Sequence, residues 1–131
     1  MPRTIVKPKS LDFQPRPTYP YAPGAKGGGM VFTAGQVAWD ETGNVTAIGD
    51  IRGQTVQTLK NVIAVLEEAG ASLDDVLKCN VYLKDMNDFQ IMNAEFAKVF
   101  PVDPPARTTV QTPMAEPEML VEIEAVAYIG G

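Results

Sequence analysis

A chain of 131 residues, 45% apolar and 21% charged, is expected to form one soluble domain spanning 1–131, with enough core to fold without staples. Its net charge of −5 argues against nucleic acid and anionic membrane surfaces as partners, since both require a basic footprint. There is no histidine, one cysteine, and serine only at Ser10 and Ser72, which excludes a Ser-His-Asp triad and an internal disulfide and removes the commonest metal ligand.

The segment Met1 to Lys7 lacks the apolar run of a signal peptide, and no stretch approaches transmembrane length, so a cytoplasmic location is expected. Thr4 to Lys7 is strand-like and ends at Pro8. Phe13 to Gly29, with Pro15, Pro17, Pro20 and Pro23, predicts an extended surface segment held down by Tyr19 and Tyr21, with Lys26 to Gly29 as a flexible turn. Met30 to Ala38 predicts a strand, in which Gly35 suggests a bulge or a close approach. Asp40 to Asn44 predicts a turn leading into a hairpin partner, Val45 to Ile48.

Asp50 then caps a helix. Apolar residues recur at helical spacing from Ile51 to Ala69, with Val56, Ile63 and Val65 widening the face, and Gly70 is the natural stop. Ser72 and Asp75 have capping-box spacing. Val76 to Lys84 alternates, with Leu77, Cys79, Val81 and Leu83 facing one way, which predicts a half-buried strand and an inert core role for Cys79. Asp85 caps a second helix whose stripe is Phe89, Met92, Phe96, Val99 and Phe100, with Asn93 on its margin, ending at Pro101.

Pro104 and Pro105 keep the approach to the next strand extended, and Thr108, Thr109 and Val110 are β-branched. Arg107 therefore stands at a strand mouth, where its planar fork suits a carboxylate or phosphate. The last strand, Met119 to Ile129, carries Val121, Ile123, Ala125, Ala127 and Ile129 on one face, with Leu120, Glu122, Glu124, Val126 and Tyr128 on the other. The residues alone favour a structural salt-bridge role for Arg107 over a ligand role, and Glu122 and Glu124 could pair with lysines. The element order β, β, β, α, β, α, β, β predicts an α+β fold with both helices on one sheet face, and a mixed second face suited to contact with another subunit.

Several stretches taken together resemble the reactive-intermediate deaminase family, also called Rid or YjgF-like. They are Tyr19-Pro20-Tyr21, Phe32-Thr33-Ala34-Gly35-Gln36, Gln57-Thr58-Leu59-Lys60-Asn61, Phe89 with Asn93, Pro105-Ala106-Arg107-Thr108-Thr109-Val110, and Val121 to Ala127. The resemblance implies a chorismate-mutase-like fold with one mostly antiparallel sheet, assembled as a trimeric barrel with sites in clefts between subunits. It also implies hydrolysis of small 2-imino and enamino acids to 2-keto acids and ammonia, without cofactor or metal. Arg107 would hold the substrate carboxylate, and Glu122 would stand near the attacking water. The main-chain carbonyl of Thr109 would help position that water. Tyr21, Ala34, Gly35, Phe89 and Asn93 would line the pocket. Two positions depart from the family pattern: Ala34 replaces a serine and Thr109 a cysteine. A non-catalytic carboxylate-binding regulator is the alternative expectation, and RNA cleavage is disfavoured by charge and by the lack of histidine.

Overall fold

The computed structural model describes residues 2–13 and 19–130; Pro15 and Pro17 lie outside them. The strands are β1 (Thr4–Val6), β2 (Gly24–Gly27), β3 (Met30–Thr33), β4 (Val76–Leu83), β5 (Ala106–Gln111) and β6 (Val121–Tyr128). The helices are α1 (Ile51–Glu68) and α2 (Phe89–Val99). Among the described residues the strands form one sheet in the order β1-β2-β3-β6-β4-β5. Every pairing is antiparallel except β4 with β5, which α2 joins as a crossover.

Register decides which face each side chain occupies. Cys79 pairs with both Arg107 and Ala125, and Val81 with both Thr109 and Ile123, so these six residues share a face. Leu59, Val62, Val65 and Leu66 of α1 and Met92 and Phe96 of α2 join Cys79, Val81, Ile123 and Ala125 in one buried cluster. This is the helix-covered face, and the expected α+β architecture holds. The opposite face carries Phe32, Tyr82, Glu122, Glu124, Val126 and Tyr128. Phe32 and Tyr128 are about half exposed there, at 51% and 49%. No helix is long and apolar enough to cross a membrane among the described residues.

α1 begins where Asp50 accepts a hydrogen bond from the Gly53 amide at 3.0 Å. It ends at Gly70, whose φ of +86° only glycine adopts easily, and the Ala71 amide returns to the Leu66 carbonyl at 2.8 Å. The Ser72–Asp75 capping box is present.

Several expected elements differ. The Lys26–Gly29 turn is narrower: Gly24–Gly27 is a strand, and only Gly28 and Gly29 turn, both with positive φ as a two-residue hairpin requires. The glycines of β2 hide it from propensity, and Gly24 serves packing, since a Cβ there would lie 2.5 Å from Val65 Cγ1 of α1. The strand from Met30 stops at Thr33. Three residues separate Phe32 from Gln36, while only two separate their partners Val126 and Ile123, so the chain bulges at Ala34–Gly35 before Gln36 bridges to Ile123. Val45–Ile48 is not a strand. Val45 forms a single bridge to Trp39, and Ala47 then turns left-handed at φ +52°.

In β4 the alternation slips at a bulge between Val76 and Lys78, which buries Val76 and turns Leu77 outward. Val56 likewise lies on the outer side of α1. Asp85 caps a single 3-10 turn, Met86–Asp88, and α2 begins after it at Phe89. The final strand runs from Val121 to Tyr128, leaving out Met119, Leu120 and Ile129.

Candidate functional site

Arg107 projects from β5, the edge strand, onto the helix-covered face. There it meets the first turns of α2. One guanidinium nitrogen donates to Asn93 Oδ1 at 2.5 Å, and the other lies 3.9 Å from Met92 Sδ. Its carbon stands 4.8 Å from the Phe96 ring centroid and 5.7 Å from that of Phe89. The aromatic faces attract the cation while Asn93 sets its plane. Among the described residues Arg107 forms no ion pair. Burial lowers its pKa from the ordinary guanidinium value, and the group stays cationic. A cavity of about 430 Å³ opens beside it, lined by Asn93, Phe96, Phe100, Pro104 and Pro105 among others.

α2 is held in place by Glu95, which is 5% exposed. Its carboxylate takes both Arg52 of α1 and Lys98 at 3.0 Å. The Lys98 hydrogen bond, with Arg52 acting alongside it, holds Glu95 below the usual carboxylate range. Thr109, two residues beyond Arg107, shares its face, and the Thr109 hydroxyl is buried without a hydrogen-bond partner. As expected, Cys79 is core: it is 1% exposed, and burial pushes its thiol up to about 11, opposed by the nearby Arg107.

Glu122 occupies the other face. Its carboxylate presses on the bulge, so that a Cβ on Gly35 would lie 2.0 Å from Oε2. Burial first, and then the charge of Glu124, push its carboxyl above the usual carboxylate range. Glu124 in turn accepts hydrogen bonds from Asn80 at 3.2 Å and from the Tyr82 hydroxyl at 3.1 Å. Burial and the Glu124 hydrogen bond raise the Tyr82 pKa. A cavity of about 560 Å³ adjoins Glu122 and is walled by Tyr19, Tyr21, Ala34, Gly35, Trp39 and Met119 among others.

The expected residues thus fall into two groups. Arg107, Asn93, Phe89 and Thr109 gather on the helix-covered face, and Glu122, Tyr21, Ala34 and Gly35 gather around a separate cavity. One chain does not bring the two together, because β5 and β6 present Arg107 and Glu122 to opposite sides of the sheet.

Sequence reasoning missed how α1 sets the second cavity. Gln54, fully buried, donates to the Glu118 carbonyl at 2.7 Å and accepts from the Leu120 amide at 2.9 Å, fixing the chain on both sides of Met119. Asn61 donates to the carbonyls of Val37 and Trp39 at 2.9 and 3.1 Å. Polar residues inside the apolar stripe of a helix were the available signal, since buried polar groups demand partners.

The fold defines a class: a mixed sheet backed by two helices and open on its other side. The family model described as Endoribonuclease L-PSP matches residues 12–129. A RutC family protein of Pyrococcus horikoshii is 48% identical over 115 residues, covering 87% of this chain and 90% of that protein. The YjgF gene product of E. coli superposes with a TM-score of 0.83 at 33% identity, covering 95% of this chain and 98% of that one. E. coli TdcF with bound serine gives 0.83 at 32% identity over the same shares. YyfA of Yersinia pestis, from the conserved Rid protein family, gives 0.87 at 30% identity, covering 98% of this chain and all of that one. The chain belongs to the YjgF/RutC family, also called Rid.

Proposed function

We propose that this protein hydrolyses small 2-imino and enamino carboxylic acids to 2-keto acids and ammonia, at a site completed by two copies of the chain. The observation that carries the reading is the Arg107 guanidinium: oriented by Asn93, flanked by two aromatic rings, and paired with no acid among the described residues. A partly buried cation left unneutralised is poised to take an anion from outside the chain. A relative of this fold holds serine, a small carboxylate, in its crystal structure.

The separation of the two groups supports assembly. Arg107, Asn93 and Phe89 of one protomer complement Tyr21, Gly35 and Glu122 of its partner. The open sheet face, where Ile5, Phe32, Val110 and Tyr128 are exposed around Glu122 and Glu124, is the surface that a homotrimeric barrel would cover.

The chemistry follows from these groups. Arg107 grips the carboxylate and orients the imine carbon. Glu122, whose pKa is raised by burial and by Glu124, acts as the acid: it gives a proton to the imine nitrogen, while water adds to the carbon and returns a proton to Glu122. The resulting carbinolamine collapses, the C–N bond breaks, and ammonia leaves with the 2-keto acid behind it. The main-chain carbonyl of Thr109, on the exposed edge strand, helps hold the water. Neither metal nor cofactor is required. RNA cleavage, suggested by the family description, is disfavoured by a net charge of −5 and the acids on the open face.

Arg107→Ala tests the reading. Loss of a desolvated charge-assisted contact costs about 2–5 kcal/mol, a fall in kcat/KM of at least roughly 30-fold on 2-iminobutanoate. Undiminished turnover in a folded variant would sink it.

A further inference from the structure

The cavity beside Glu122 is larger than the simplest imino acids need. A three-carbon imino acid has six heavy atoms and occupies about 180 Å³ at the volume per heavy atom of liquid water. The imine of phenylalanine has twelve and occupies about 360 Å³ on the same basis. The cavity holds about 560 Å³, so even the larger molecule leaves space for an incoming guanidinium and a water.

Its walls are also mostly apolar. Tyr19, Tyr21, Val37, Trp39 and Met119 line it, and Glu122 and Glu116 are its acids. These walls are held rather than loose. The Trp39 ring meets Phe13 edge-on at 5.5 Å, and Tyr19 stacks on Tyr21 at 6.0 Å. From α1, Asn61 pins the backbone of Val37 and Trp39, and Gln54 pins the residues on either side of Met119. A preformed apolar cavity of this size with few polar groups suits a ligand with a substantial hydrophobic body. Ala34 adds no hydroxyl at the wall nearest Gly35.

We infer that the preferred substrates are imino acids bearing a large apolar or aromatic side group, which lies against Tyr19 and Tyr21 over a floor that Trp39 and Met119 support, while the imine faces Glu122. This rests on the deaminase reading above. The hydrolysis is unchanged: water adds across the C=N bond, and the keto acid retains the side group.

The test compares imines generated in situ by an amino-acid oxidase from phenylalanine, leucine and alanine, with semicarbazide as competitor. In a hydrophobic pocket each added methylene is worth about tenfold or more, so kcat/KM for the phenylalanine and leucine imines should exceed that for the alanine imine at least tenfold. Equal or reversed ratios overturn the inference. A second arm measures binding of phenylpyruvate and pyruvate by calorimetry, with phenylpyruvate expected at least tenfold tighter. If no imine is turned over yet phenylpyruvate keeps that advantage, the deaminase reading fails while the apolar pocket stands. If pyruvate binds as tightly, the pocket assignment fails whatever the turnover. Ala115→Trp, on the exposed part of the wall, should lower the phenylalanine-to-alanine ratio several-fold; an unmoved ratio places the side group elsewhere.

Discussion

Gly35→Ala is the sharpest perturbation that the geometry offers. The added Cβ would lie 2.0 Å from Glu122 Oε2, 2.8 Å from Cδ and 3.0 Å from Cγ. Ordinary contact begins near 3.4 Å, so the oxygen must retreat by about 1.4 Å. Gly35 does not adopt the left-handed conformation, so alanine meets no backbone strain there. The carboxylate is the end of a flexible side chain, and moving it costs about 0.5–1.5 kcal/mol in rotamer strain. Restricting the unfolded chain offsets about 0.4–1 kcal/mol of that. The fold should therefore survive with its Tm nearly unchanged. Catalysis should not survive so well, because a displacement of about 1 Å costs roughly 10²-fold. Steady-state kcat/KM on 2-iminobutanoate, beside a thermal scan, separates the two effects. In a Glu122→Ala background the Gly35→Ala loss should vanish, since both act on one group. A folded Gly35→Ala enzyme within about threefold of the parent would refute the placement of Glu122 in the reaction.

Two further outcomes follow from the same contacts. Glu124→Gln removes the like charge that, after burial, raises the Glu122 pKa. With Glu122 as the proton donor of the proposed mechanism, rate should fall as pH rises through its pKa, and the variant should move that alkaline limb to lower pH. The groups around Glu122 include Tyr82, Tyr21, Glu116 and Glu124. A pH–rate profile with the limb unmoved or shifted upward would contradict the assignment. Gly24→Ala pushes a methyl to 2.5 Å from Val65 Cγ1 and should destabilise by about 1–3 kcal/mol in urea unfolding, whereas an unchanged midpoint would deny that α1 needs that close approach.

The helices and long strands were legible because apolar periodicity and caps agreed: Asp50, Gly70 and the alternation of β6 each proved structural. Legibility failed where tertiary packing overrides propensity. The strand Gly24–Gly27 was hidden between an expected surface segment and an expected turn at Lys26–Gly29, because Gly24 is there for the approach of α1, and Leu77 looked buried because a bulge is silent in a binary pattern. At the site, the motif pointed to Arg107, Asn93 and Glu122 individually. Their division between two sheet faces follows from register, which no local pattern reveals. Gln54 and Asn61 were read as helix residues, and only the folded chain shows that they fix the cavity walls.

In the proposed site Arg107 and Glu122 act from different copies of the chain. Arg107→Ala and Glu122→Ala proteins, each inactive alone, can be unfolded together and refolded as mixed oligomers. Random assembly leaves about a quarter of the interfaces with both intact groups, so imine turnover should return to roughly that fraction of the parent rate. A mixture no more active than either variant alone would contradict the shared site.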